Sequence, residues 1–268
     1  SKPDGGVRPI AIGEALNRLL SKILVSRVEG ATRARLLEGQ LGVCVPDAPA
    51  VIVAVLSTVT AAGVGTITKL DIRNAFNTVR RDVLDRVVSA TWEPTISRYY
   101  SRVLAASSVS FEGNQVPSAA GVPQGDPLSP AAFALGFDFV LRAVDGVPLP
   151  PLVIDGVVFP RVLAYHDDLY LIGPSLGAAQ LGLDTAWRSA LTIGLTLNHR
   201  KCWFWGGPAI DGAPLLGGAP VTRRTLAEGL EVMGVCIGEA GPVARSFAAA
   251  AAEAIELAEA ARGLSCQS

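Results

Sequence analysis

Cysteine is scarce in this chain. There are four in 268 residues, at Cys44, Cys202, Cys236 and Cys266. They share no metal-ligand spacing and form no dense framework, which excludes a zinc module and a disulfide-stapled scaffold. They read as reduced thiols of an intracellular protein. Charge imbalance is lacking as well: 23 Lys+Arg against 24 Asp+Glu leave a net charge of -1. That excludes a uniformly basic nucleic-acid-binding domain but not a basic cleft in an otherwise acidic exterior. Long hydrophobic runs are missing too. The longest, Ala50 to Val64, is interrupted by Ser57, Thr58 and Thr60 and falls short of the ~20 residues of a membrane span. The mean hydropathy of +0.39 owes part of its height to alanine. No apolar region follows Ser1-Lys2-Pro3-Asp4-Gly5-Gly6, so no signal peptide is expected. There is no internal repeat, and the abrupt start without Met suggests a piece of a longer polypeptide.

What is present is a large apolar fraction, 50% hydrophobic residues with 18% charged. A chain of this size can bury about 70–75% of the surface its unfolded form exposes. Apolar spacing predicts helices over Glu14–Val28, Ala48–Ala62, Arg81–Val88, Ala131–Val144, Leu176–Gly194 and Ser246–Arg262. Val7–Ile12, the β-branched Thr66–Ile72, Leu195–Leu197 and Val232–Ile237 read as strands. Tyr99–Phe111 reads as helix then strand, and Glu112-Gly113-Asn114 as a hairpin turn. Helices and strands alternate without a regular βαβ rhythm, which favours an α+β fold.

Tyr165-His166-Asp167-Asp168 is the most informative stretch. Val162-Leu163-Ala164 precedes it and Leu169-Tyr170-Leu171-Ile172 follows, so two adjacent carboxylates sit between segments that read as buried strands. Buried carboxylates are costly unless paired or bound to metal. A strand, acidic tip, strand arrangement holds such groups rigidly against divalent cations. Asp71, at the end of another strand, would be the third. Three convergent carboxylates repel one another unless cations neutralise them. Two Mg²⁺ ions about 3.5–4 Å apart, flanking a phosphoryl transfer, would do so. For Asp71 alone, capping a following helix is the better explanation.

Asp71-Ile72-Arg73-Asn74-Ala75-Phe76, then Gly121-Val122-Pro123-Gln124-Gly125-Asp126-Pro127-Leu128-Ser129-Pro130, then Tyr165-His166-Asp167-Asp168 resemble the ordered core motifs of a reverse transcriptase. The long glycine loop with Leu-Ser-Pro resembles the non-LTR retrotransposon branch and its group II intron relatives. The opening Lys2-Pro3-Asp4-Gly5-Gly6-Val7-Arg8-Pro9-Ile10 is similar to the fingers motif. Gly194-Leu195-Thr196-Leu197-Asn198 with Lys201 is similar to a later palm motif, and Val232-Met233-Gly234-Val235 to the start of the primer grip. The resemblance runs in order over about residues 1 to 238.

The resemblance implies a right-hand polymerase of fingers and palm, with a ferredoxin-like antiparallel palm sheet and a thumb mostly absent. It implies fingers over 1–66, palm over 67–238 with a fingers insertion near 90–120, and the start of a thumb or connecting helix over 239–268. Asp71, Asp167, Asp168 and the Ile72 carbonyl would hold two Mg²⁺, with Mn²⁺ as substitute. Lys2 and Arg8 would hold the triphosphate, Gln124 and Gly125 would meet the incoming nucleotide, and Phe76 would lie under its sugar and select dNTPs. Phe76 reads as well as a core aromatic. Lys201 would protonate departing pyrophosphate, or is a surface lysine. Tyr165, His166 and Gly234 would contact the primer, although Gly234 also reads as a plain strand glycine. His166 stands where this branch commonly has Ala, and Asn74 and Asn77 where relatives have Lys and Asp.

The partners implied are an RNA template, a DNA or RNA primer, dNTPs and further domains of the same polypeptide, such as an endonuclease and nucleic-acid-binding segments, with no membrane. The expected setting is the nucleus or a cytoplasmic ribonucleoprotein. A domesticated or decayed domain acting as an RNA-binding scaffold, and a related palm RNA polymerase, are the alternatives.

Overall fold

The computed structural model describes residues 15–105, 108–111, 114–123 and 125–262. The chain opens with helix α1 (Ala15–Arg35) and α2 (Ala48–Ala62), then strand β1 (Thr66–Leu70). A short α3 (Ala75–Thr78), α4 (Arg81–Thr91) and α5 (Pro94–Leu104) lead to a hairpin of β2 (Ser108–Phe111) and β3 (Asn114–Pro117). Helix α6 (Ser129–Asp145) is followed by a small hairpin, β4 (Val153–Ile154) with β5 (Val157–Val158). The acidic hairpin comes next, β6 (Val162–Tyr165) and β7 (Asp168–Gly173), then α7 (Leu176–Thr192). The remainder is β8 (Trp203–Gly206), β9 (Leu215–Leu216), β10 (Ala219–Pro220), β11 (Thr222–Arg223), β12 (Leu230–Val232), β13 (Val235–Ile237) and α8 (Ala240–Arg262).

One five-stranded sheet organises the molecule, in the order β11-β8-β1-β7-β6. Every pairing in it is antiparallel except the short β11–β8 contact. β7 is apolar almost throughout because it is covered on both faces. Leu169 and Leu171 point to one core, Tyr170 and Ile172 to the other. Helices α4, α6 and α7 fill the first side. Phe133, Phe137 and Leu141 of α6 are all fully buried there, each worth roughly 1.5–3 kcal/mol. On the second side Ile52, Leu56 and Val59 of α2 pack with Trp203, Trp205 and Val232. No helix among the described residues is long and apolar enough to cross a membrane, and Cys44, Cys202 and Cys236 are free thiols.

Several sequence expectations need correction. Val232–Ile237 is not one strand: it is a hairpin, β12 paired to β13, turning at Met233-Gly234 with φ of 51° and 77°. Two positive φ values in a two-residue loop make a type I′ turn, whose twist matches the strands it joins. Gly234 is therefore a turn glycine. Leu195–Leu197 forms no strand; Leu197 makes an isolated bridge to Ile72. β1 ends at Leu70, one residue before Asp71. Helix α1 continues to Arg35, beyond the expected Val28, and the terminal helix begins earlier, at Ala240. Val7–Ile12 and the Glu112-Gly113 turn lie outside the described residues.

Candidate active site

The acidic residues gather at one end of the sheet. β1 and β7 pair antiparallel with Leu70 opposite Leu169. One residue further along the same register, Asp71 falls opposite Asp168, and facing residues of a ladder lie on one side of a sheet. That side is the one away from α6 and α7, since Asp168 alternates in step with Tyr170, which packs with α2 and Val232. Tyr165 faces Asp168 across the two-residue turn His166-Asp167. His166 has φ 55°, the left-handed region that histidine enters more readily than most residues.

Asp71 is held from beneath by the segment that bears the later palm motif. Asn198 N–H donates to the Asp71 carbonyl (2.8 Å) and Arg73 N–H to that of Thr196 (2.9 Å). Asp71 N–H points at Cys202 Sγ, 3.5 Å away. Burial pushes the Cys202 thiol up to about 11, so it stays a neutral sulfur under the acid. Lys201 lies on the 3-10 turn His199–Lys201 of the same segment and is exposed.

A cation already touches the cluster. Lys69 Nζ lies 3.1 Å from Asp168 Oδ1. Nothing in the sequence singles out this lysine, although its place two residues before Asp71 in a strand puts it on the same face. Among the described residues no three His, Cys, Asp or Glu side chains stand as a ready ligand group for a metal. The donors nevertheless fit divalent cations in kind, being hard carboxylate oxygens.

Phe76 lies five residues beyond Asp71 on α3, stacked on Phe133 of α6 at 4.4 Å between ring centroids and edge-on to His166 at 6.0 Å. It is half-buried, so it is both a core contact and a surface beside the acidic turn. Asn74, just before α3, has φ 48°; its short polar side chain suits that left-handed step. The glycine loop is docked on this helix through backbone. Val122 N–H donates to the Phe76 carbonyl (2.7 Å) and Gly121 N–H to that of Val79 (2.8 Å). Arg81 adds bonds from its guanidinium to the Gly121 carbonyl (3.0 Å) and the Ser118 hydroxyl (2.9 Å), and burial lowers its pKa. Gly125, with φ 105°, is exposed. Asp126 ties the loop back to α1 by accepting from Ser21 Oγ (2.8 Å).

The structure thus brings Asp71, Ile72, Phe76, Tyr165, His166, Asp167 and Asp168 to one end of the sheet. Gly234 sits on the same side on the β12–β13 turn. Ile72 itself is buried, with its side chain in the α6 core. Lys2, Arg8 and Gln124 lie outside the described residues. Burial lowers the His166 pKa, against a smaller opposite pull from Asp168.

Residues 1–228 match the family described as Reverse transcriptase (RNA-dependent DNA polymerase). The Retrovirus-related Pol polyprotein from type-1 retrotransposable element R2 of Popillia japonica is 31% identical over 72% of this chain and 29% of its own length. The corresponding protein of Bradysia coprophila is 31% identical over 74% of this chain and 24% of its own. That from type-2 retrotransposable element R2DM of Drosophila melanogaster is 30% identical over 55% and 14%. The chain therefore spans less than a third of the length of these relatives. Among solved structures, apo telomerase from Candida Tropicalis, truncated from its C-terminal domain, overlaps 72% of this chain and 41% of its own at 12% identity and a TM-score of 0.49.

Proposed function

The chain belongs to the reverse transcriptase family, and from that premise we propose that it is the fingers–palm portion of a retrotransposon RNA-directed DNA polymerase, adding dNTPs to a primer 3′-OH on an RNA template, as in target-primed reverse transcription. The observation that carries this reading is the β1–β7 register, which pairs Leu70 with Leu169 and so leaves Asp71 and Asp168 at the same end of the sheet, beside the Asp167 turn. Residues 1–66 would be fingers, 67–238 palm with an insertion near 90–120, and 239–268 the start of a thumb. The larger size of the relatives supports further domains in the same polypeptide, and the setting would be a nuclear or cytoplasmic ribonucleoprotein.

Asp71 and Asp167 would hold two divalent cations, Mg²⁺ or in its place Mn²⁺, with Asp168 and the Ile72 carbonyl in support. When bound, such ions neutralise charge on the attacking and leaving oxygens of a phosphoryl transfer. The chain's own part is positioning, which dominates this chemistry. Phe76, backed by Phe133, would offer its ring edge to the nucleotide sugar and disfavour a 2′-OH. Tyr165 and His166 would border the primer terminus. The backbone of the loop ending at Gly125 would pass close to the incoming base, with Gln124 beside it and Lys2 and Arg8 on the triphosphate. Lys201 would supply a proton to pyrophosphate. The test is Asp167→Asn in the full-length protein. Primer extension should be abolished while the thermal midpoint is kept; wild-type-like synthesis would overturn the reading.

A further inference from the structure

The segment that leaves α1 and ends against the acidic turn is pinned at every step. The buried Asp138 carboxylate of α6 accepts the Leu37 N–H (2.7 Å). Arg142, paired with Asp138, donates to the Arg35 carbonyl. Arg33 Nη1 donates to the Gln40 carbonyl (2.8 Å). Gln40 is fully buried, and its Oε1 accepts the Gly42 N–H (3.1 Å). Leu41 N–H donates to the Ala164 carbonyl and Ala164 N–H to that of Gly39, both at 2.8 Å. The segment thus bridges in parallel to β6, the outermost strand of the sheet.

Covering an edge strand needs only that ladder. The contact beyond it is tighter. A Cβ at Gly42 would collide with the His166 backbone nitrogen and come within 3.2 Å of His166 Nδ1 and the Tyr165 carbonyl carbon. The backbone of Gly42 is therefore pressed on the one residue of the turn held at positive φ. Such a conformation persists only where its surroundings over-determine it.

We propose that residues 35–42 form a strap whose Gly42 end fixes the position of the His166-Asp167 turn, making Gly42 and Gln40 positioning residues for nucleotide transfer. The proposal rests on the polymerase reading above. It gives the fingers-side helix α1 a mechanical link to the acids, through Asp138 and Arg142 at one end and His166 at the other. Gln40 acts by holding Gly42 flat, so that no side chain and no slack backbone intervenes between the strap and the turn.

The test uses the full-length protein with Gly42→Ala. A displacement of about 1 Å at reacting groups costs on the order of a hundredfold in rate. The expected result is that loss in kcat, with primer–template affinity unchanged. Mn²⁺ binding, followed without turnover by water-proton relaxation, should weaken in parallel, a readout that a purely structural role would leave in place. Gln40→Met, which removes the acceptor of the Gly42 bond and adds nothing to the clash, should shift kcat and Mn²⁺ binding in the same direction by less, and it serves if Gly42→Ala fails to fold. Wild-type kcat and Mn²⁺ affinity in folded variants would overturn the proposal. So would losses of activity that only follow losses of thermal stability. Should the wild-type protein itself not extend primers, the polymerase reading fails on its own, and Mn²⁺ binding in the variants still decides the strap.

Discussion

Lys69 Nζ stands 3.1 Å from Asp168 Oδ1, joining the two central strands of the sheet at its acidic end. The side chains are 17% and 33% exposed, so the pair lies between a surface ion pair and a buried one. A lysine on Asp168 and a divalent cation near it compete for one carboxylate. Lys69→Met should cost about 1 kcal/mol of stability in the absence of divalent ions. Added Mg²⁺ should then raise the thermal midpoint of the variant more than that of the wild type, because ligands that bind only the native state stabilise it. Thermal denaturation across a Mg²⁺ series reads both effects. Equal Mg²⁺ responses would mean that Asp168 takes no part in cation binding.

Phe76 packs against α6, and one substitution can separate that packing from the sugar selection proposed for it. Its stack on Phe133 at 4.4 Å makes Phe76→Val a loss of aromatic packing, worth roughly 1–3 kcal/mol. If the ring also bars the 2′-OH, the same variant should incorporate rNTPs with the dNTP preference reduced by tenfold or more, about 1.4 kcal/mol of discrimination. Phe133→Leu should reproduce the stability loss with little effect on sugar choice. Unchanged selectivity in Phe76→Val, measured by single-nucleotide extension, would leave Phe76 a core residue only.

The acids and the glycine loop were legible in the sequence because their chemistry is local. Two carboxylates between apolar strands demand an explanation wherever the chain runs, and β7 proved to be covered on both faces as its composition implied. Lys69 was hidden for the opposite reason. A lysine in a β-branched strand carries no message until register sets it diagonal to Asp168. Gln40 and Gly42 are silent as well: Gly39-Gln40-Leu41-Gly42 carries no periodic signal, and only the ladder to Ala164 makes it a strap. The β12–β13 hairpin does not show in the sequence because Val232–Ile237 is apolar throughout except for one glycine. Met233 at φ 51° is not a residue that announces a type I′ turn, and Gly234 alone looks like a strand interruption.

Gly234 offers a clean separation of backbone cost from nucleic-acid contact. With φ at 77° and nothing within 4 Å of an added Cβ, Gly234→Ala meets strain but no clash. The left-handed conformation should cost about 1 kcal/mol. If the primer backbone also approaches there, the variant should lose primer affinity beyond that, seen as a raised KM for primer with kcat kept. A stability loss with unaltered primer KM would confine Gly234 to the turn.

Cys202 gives the pH dependence its clearest handle. Its thiol is pushed from 9.0 to about 11, first by burial, with the Asp71 N–H pulling the other way. The native state therefore keeps the proton over a range where the unfolded chain has lost it. A raised native pKa contributes stability that is fully present below the unfolded value and lost as pH climbs through the native one. The window runs from about pH 9 to 11. Across it the wild type should lose up to about 2–3 kcal/mol that Cys202→Ala does not. Subtracting the variant's thermal-denaturation profile removes the buried tyrosines, which the two proteins share. At neutral pH, Cys202→Ala should be the less stable of the two, since it leaves a void under Asp71. Parallel profiles from pH 8 to 11 would show that the sulfur beneath the acid is open to solvent.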